Sequence, residues 1–235
     1  MVAEKTIIIL GMAPSRDQCP FDAEVWSVNT GYRQIAEMNR ELNEMKGHVE
    51  KIFLAHLQVP DPEDGIHIFD WNELNRLREA GVDVINIHRV KGLNSRLYPL
   101  KRIAEKFECD YFSNTICYML AYAIDKATSK KNGRVQLKYP LTIRMYGIDM
   151  KEKIVEGQGE YTIEKGGVEY WVGYARGLGI KVTMSVGGEV CKTYTRKPYG
   201  VKYFNKRLAD PFNLIGRKRR LTKKRHAEIL ARING

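Results

Sequence analysis

The sequence predicts an α/β fold: a mostly parallel, twisted sheet with helices on both faces, followed by a basic C-terminal extension. Short apolar, β-branched runs alternate with segments of helical spacing from residue 6 to residue 184, the pattern that builds parallel sheets. Gly, Pro and Ser follow the apolar runs, most clearly in Gly11-Met12-Ala13-Pro14-Ser15-Arg16. Charge separates the tail from the body. Residues 192–235 hold fourteen Lys/Arg against Asp210 and Glu228, whereas residues 1–191 hold 25 basic and 26 acidic side chains.

The elements follow in order. Thr6–Leu10 reads as a buried strand ended by the turn chemistry of residues 11–20. Glu24–Asn29 is a second strand closed by Thr30-Gly31, and Ile35, Met38, Leu42 and Met45 then recur at helical spacing up to Gly47. Lys51–His56 is a third strand, followed by a polar loop at 58–65. Asp70 caps a helix carrying Leu74 and Leu77 that ends at Gly81. Val82–Ile87 is a fourth strand, and Pro99–Phe107 has helical spacing. Ser113 or Asn114 opens a nearly all-apolar helix running to about Ile124, and a helix apolar all round is a buried one. Lys126–Lys138 reads as a charged loop. Leu141–Tyr146 is a fifth strand, and Ile180–Met184 a sixth, entered from a helix over 168–178. The domain boundary is placed between residues 190 and 191.

With 235 residues, 43% hydrophobic content, three Trp and thirteen Tyr, the chain can bury a sizeable core. No apolar run reaches the length of a membrane span and no export pattern opens the chain, so a cytoplasmic protein without a transmembrane segment is expected. Cys19, Cys109, Cys117 and Cys191 lack the paired spacing of zinc ligands and read as free thiols.

Three stretches fall where an open α/β sheet places its ligand loops: Gly11–Arg16, Ser113-Asn114-Thr115 and Gly147-Ile148-Asp149-Met150. In this order they resemble one bacterial sialyltransferase family over roughly residues 5–185. Members of that family use a Rossmann-like sheet and a cytidine-monophosphate-activated sugar, and related sequences occur in phages and prophages. The resemblance implies that Gly11, Pro14, Ser15 and Arg16 hold the nucleotide, that Asn29 touches it, and that Ser113, Asn114 and Thr115 open a helix over the donor. It also implies that Gly147 and Asp149 belong to the family's G-I-D segment and that Tyr161 reaches the donor phosphate. The family's histidine base has no counterpart in Glu169-Tyr170-Trp171-Val172-Gly173-Tyr174.

Sugar transfer needs a stabilised leaving phosphate, a group to take the acceptor proton, and exclusion of water. Asp149, His56 and Glu164 are the candidate catalytic groups, with Glu160, Glu169 and His88 in reserve. Each has a plainer reading as a cap, a core histidine or a solvated carboxylate. Glu160–Gly167 reads as an ordered loop over the site or as a hairpin. No Asp-x-Asp pair follows a strand, and Asp61-Pro62-Glu63-Asp64 reads as a solvated loop, so no obligatory metal is expected. The co-substrate is a CMP- or UDP-type nucleotide-sugar donor.

In the tail, Tyr194, Tyr199, Tyr203 and Phe204 interleave with Arg196, Lys197, Lys202, Lys206 and Arg207. Arg217, Lys218, Arg219, Arg220, Lys223, Lys224 and Arg225 follow. Cations neutralise phosphates and aromatic faces stack on bases, so DNA is the expected partner of this segment, and a modified base in phage DNA the expected acceptor. A solvated basic surface is the alternative. For the whole chain, the alternative to a glycosyltransferase is a nucleotide- or nucleic-acid-binding module without catalysis.

Overall fold

Ile7, Ile8, Ile9 and Leu10 are all buried. Side chains alternate along a strand, so a run with no polar break must be covered on both faces. Ile7 and Ile9 join one apolar cluster, with Trp26, Phe53 and Ile85. Ile8 and Leu10 join the other, with Val25, Ile52 and Val84. The computed structural model describes residues 3–33, 49–55, 69–150, 160–186 and 188–191, the stretch 160–163 as backbone only. All lie in the first of two units, which divide between Lys197 and Pro198. The helix expected over 35–45, the acidic loop 61–64, His56 and the whole basic tail fall outside the described residues.

The strands are β1 (Lys5–Leu10), β2 (Glu24–Val28), β3 (Val49–Leu54), β4 (Asp83–Asn86), β5 (Arg96–Leu97), β6 (Thr128–Lys131), β7 (Arg134–Leu137), β8 (Leu141–Tyr146) and β9 (Lys181–Met184). Seven of them form one sheet in the order β5-β4-β3-β2-β1-β8-β9. Every neighbouring pair in it is parallel. The described fold is thus a Rossmann-like α/β sheet. The chain steps outward from β1 to β5, then returns to the other side of β1 as β8. That reversal makes the carboxyl end of β1 and β8 the topological switch point, where open α/β sheets hold ligands.

Helix α1 (Trp71–Glu79) starts as expected: the Asp70 carboxylate accepts from Asn72 N at 2.8 Å and Glu73 N at 3.3 Å. It sends Leu74 into the cluster on its own face of the sheet. Helices α2 (Leu100–Phe107), α3 (Thr115–Ala127) and α4 (Glu160–Gly177) belong to the opposite face. In α3 residues 115–117, 119–125 and 127 are buried, as an apolar circumference demands. It carries one buried charge, Asp125, which Arg102 meets at 2.6 Å and Lys106 at 2.9 Å. A buried carboxylate tolerates its site only with such partners.

Three expectations are corrected. Residues 126–138 are not a loop: α3 runs on to Ala127, and β6 and β7 then pair antiparallel. Their turn is Asn132 (φ 50°) and Gly133 (φ 75°), the two left-handed positions of a tight hairpin. Residues 160–167 are neither loop nor hairpin but the first two turns of α4. Gly166 and Gly167 sit inside this helix because its neighbours leave no room. A Cβ on Gly167 would lie 2.1 Å from Ser113 Oγ, and one on Gly166 2.8 Å from the Tyr111 hydroxyl. Finally, β2 ends at Val28 and β3 at Leu54, so Asn29 begins a loop rather than closing a strand.

Candidate functional site

The loops after β1 and β8 meet backbone to backbone. A Cβ on Gly11 would lie 2.2 Å from the Gly147 carbonyl oxygen, and one on Gly147 (φ 67°) would lie 2.5 Å from that of Gly11. Gly11 N donates to Tyr146 O at 2.8 Å and Ala13 N to Gly147 O at 2.9 Å. The chain then turns through a short 3-10 segment, Pro14–Gln18, with Pro14 exposed at its start and Ser15 buried.

Ser15 ties three loops together. Its N donates to Asp149 Oδ2 at 3.3 Å, its Oγ accepts from Gly147 N at 3.0 Å, and the same Oγ lies 2.7 Å from Ser185 Oγ after β9. Asp149 O in turn accepts from Glu189 N at 2.8 Å. The loop after β2 joins this group where Thr30 Oγ1 reaches Met12 Sδ at 3.9 Å. Arg16 folds back, its Nη1 donating to Met12 O at 3.1 Å.

Several buried polar atoms along this rim have no hydrogen-bond partner among the described residues: Ser27 Oγ, Asn29 Oδ1, Asn86 Nδ2 and Asp149 Oδ1. Asn29, Asn86 and Asp149 stand at the carboxyl ends of β2, β4 and β8. Buried polar groups are normally paired, so a row of unpartnered atoms at one sheet edge calls for a ligand or ordered water. Asn29 is also held in the left-handed region (φ 48°), which an asparagine tolerates better than most residues.

A second group forms where α3 begins against α4. Asn114 caps α3, its Oδ1 accepting from Cys117 N at 3.1 Å, and its Nδ2 donates to Glu164 Oε2 at 3.4 Å. Ser113 Oγ donates to Glu164 O at 2.8 Å, and Thr115 is buried in the first turn. The first turn of α3 is joined to the rim through Tyr98. Its hydroxyl donates to Tyr118 O at 2.9 Å and its N to Asn86 O at 2.8 Å. At the other end of α3, Lys138 N donates to Ala127 O at 2.8 Å, three residues before β8 starts. Helix α3 therefore runs opposite to the strands, with its amino end toward their carboxyl ends.

Of the residues singled out from sequence, Gly11, Ser15, Gly147 and Asp149 are in one contact group, with Pro14, Arg16 and Asn29 on the same rim. Ser113, Asn114 and Glu164 form the second group. Tyr161 lies in the first turn of α4, its side chain outside the description, and His56 and the twelve tail cations are outside it altogether. The residues that sequence reasoning passed over are Ser185 and Asn86. Neither sits in a glycine-rich motif; only their positions just after or at the end of a strand carried a signal.

Burial pushes the thiols of Cys117 and Cys191 up, and that of Cys19 to about 11. These three stay protonated at neutral pH and are poor nucleophiles. All four cysteines are free. Among the described residues no three His, Cys, Asp or Glu side chains gather as metal ligands would, and no helix is long and apolar enough to cross a membrane.

No protein-family model matches the chain, and no curated protein matches it. Among solved structures it is similar to the sialyltransferase CST-II in complex with trisaccharide acceptor and CMP. Identity there is 16% and the TM-score 0.36, over 77% of this chain and 81% of that one. It is also similar to a mutant of the alpha-2,3/8-sialyltransferase CstII, at 14% identity and TM-score 0.34 with the same coverage. The fold described above rests on this chain's own strand order.

Proposed function

We propose that the chain is a glycosyltransferase-like enzyme that holds a nucleotide-activated sugar along the carboxyl rim between the loops after β1, β2 and β8. The observation that carries this reading is the row of buried, unpartnered polar atoms at that rim, Asn29 Oδ1 and Asp149 Oδ1 nearest the switch point. The motif resemblance in the same loops supplies the class of ligand. Asn29 Oδ1 accepts from the nucleotide, and the start of α3 lies toward the donor phosphate, where a helix amino end favours negative charge.

In the transfer, the acceptor hydroxyl oxygen forms a bond to the anomeric carbon. The bond from that carbon to the nucleotide phosphate oxygen breaks, the electron pair leaves with the phosphate, and the hydroxyl proton passes to a carboxylate. Asp149 is the described carboxylate with an oxygen left over for this; its other oxygen is taken by Ser15 N. Two acceptor classes remain: the tail cations suit a polyanion such as DNA, and a saccharide is the acceptor that the motif resemblance implies.

A binding module without turnover is the second reading. It is favoured by the engagement of both described candidates, Asp149 with Ser15 and Glu164 with Asn114, and by the lack of histidine in residues 169–174. Incubation with a panel of CMP- and UDP-sugars, plus saccharides and plain or hydroxymethylated DNA, separates the two. Mass added to an acceptor supports the enzyme. Donor binding without transfer or hydrolysis supports the module.

A further inference from the structure

The loop from β4 to β5 encloses a cavity of about 320 Å³, apart from the loops after β1, β2 and β8. His88, Arg89, Val90, Leu93, Ser95 and Leu97 line it. The polar lining is a guanidinium, an imidazole and a hydroxyl, with no carboxylate among these residues. The apolar lining is Val90, buried Leu93 and Leu97, the last 43% exposed. The volume is within the range of small-molecule sites.

This loop is fastened rather than draped. Asn75 on α1 donates through Nδ2 to Gly92 O and accepts through Oδ1 from Asn94 N, both at 2.8 Å. At the loop's start His88 N donates to Asn86 Oδ1 at 3.2 Å, and at its end Tyr98 N donates to Asn86 O at 2.8 Å. Asn86 is fully buried and its Nδ2 is one of the unpartnered rim atoms. A cavity whose walls are fixed from both sides holds a ligand without first having to order them. It lies on the same rim as the switch point, three strand spacings from β1, or about 14 Å. His88 is the one histidine among the described residues.

We infer that this cavity is a subsite for a single anionic group, a carboxylate or a phosphate, carried by a small saccharide acceptor. Arg89 presents the forked donors that match either group, and Ser95 and His88 add hydrogen bonds beside it. Val90, Leu93 and Leu97 meet the carbon face of the sugar. The inference rests on the glycosyltransferase reading for the word acceptor, but the subsite is tested without any transfer.

The test is calorimetric titration of the full chain with glucuronate, glucose 6-phosphate, inorganic phosphate and neutral glucose. It is run on the wild type, on Arg89→Ala, and on Lys131→Ala as a control that removes the same charge from the β6–β7 hairpin. The expected result is binding of glucuronate or glucose 6-phosphate with glucose silent, weakened at least about tenfold in Arg89→Ala and unchanged in Lys131→Ala. Preference for one of the two anionic sugars assigns the group as carboxylate or phosphate. Equal weakening in both variants places the binding elsewhere on the basic chain and overturns the subsite. So does binding of inorganic phosphate but of neither anionic sugar. Nucleotide titration of the wild type keeps the two claims apart: nucleotide bound while neither anionic sugar binds sinks the subsite alone, and anionic sugar bound through Arg89 without nucleotide sinks the donor reading alone.

Discussion

Gly11 and Gly147 occupy each other's side-chain space: a Cβ on either would fall within 2.5 Å of the other's carbonyl oxygen. This contact holds the β1 and β8 loops at the switch point, and Gly147 adds a positive φ of 67°. Gly11→Ala and Gly147→Ala should each cost about 2–3 kcal/mol of folding stability, because backbone cannot move aside as a side chain can. The double variant should cost less than the sum, since one displacement of the loops relieves both clashes. Urea denaturation of the three variants measures this.

Ser15 is a structural hub. Ser15→Ala leaves the buried Gly147 N without its acceptor and should cost about 1–3 kcal/mol. Ser185→Ala removes only the hydroxyl partner of Ser15 and should cost less. Thermal melts of the two variants rank them.

Two glycines of α4 should respond in opposite directions. Gly167→Ala drives a methyl to within 2.1 Å of Ser113 Oγ and 3.0 Å of Cys117 Sγ, and should destabilise despite the better helix former. A Cβ on Gly173 meets nothing within 4 Å, so Gly173→Ala should stabilise by about 0.5–1 kcal/mol. Paired denaturation curves decide it.

At the amino end of the sheet, burial works against ionisation of Glu24. Hydrogen bonds from Lys5, Lys51 and Trp26 outweigh it and pull the carboxyl from 4.5 to about 2. A carboxylate with a depressed folded value stabilises fully above its unfolded value, and that stabilisation is lost as pH falls toward the folded one. The protein should therefore lose on the order of 1–2 kcal/mol between pH 4.5 and pH 2 through this group, after allowing for solvent screening. Stability of Glu24→Gln against pH should lack that component.

The core strands were legible because a sheet covered on both faces leaves apolar runs, unbroken in Ile7–Leu10 and interrupted by Thr142 and Arg144 in Leu141–Tyr146. Asp70 was legible as a cap because its role is local. The α4 start was not, because Gly166-Gly167 reads locally as a turn and only the approach of Tyr111 and Ser113, more than 50 residues away, explains it. The β6–β7 hairpin was legible in principle, since Asn132-Gly133 is a strong two-residue turn signal, but the flanking lysines masked the strands. At the site, the glycines marked the ligand loops, whereas the use of Ser15 as a tie depends on Ser185, 170 positions later.

On the proposed reading, the carboxyl rim holds a nucleotide through groups that are unpartnered among the described residues. Asn29→Gly keeps the left-handed backbone and removes the orphaned amide, so it should fold with near wild-type stability. Calorimetric titration of CMP and UDP into wild type and Asn29→Gly should show binding to the wild type of one or both, weakened about tenfold or more in the variant. Equal affinity in the two proteins, or no nucleotide bound by the folded wild type, would contradict the account.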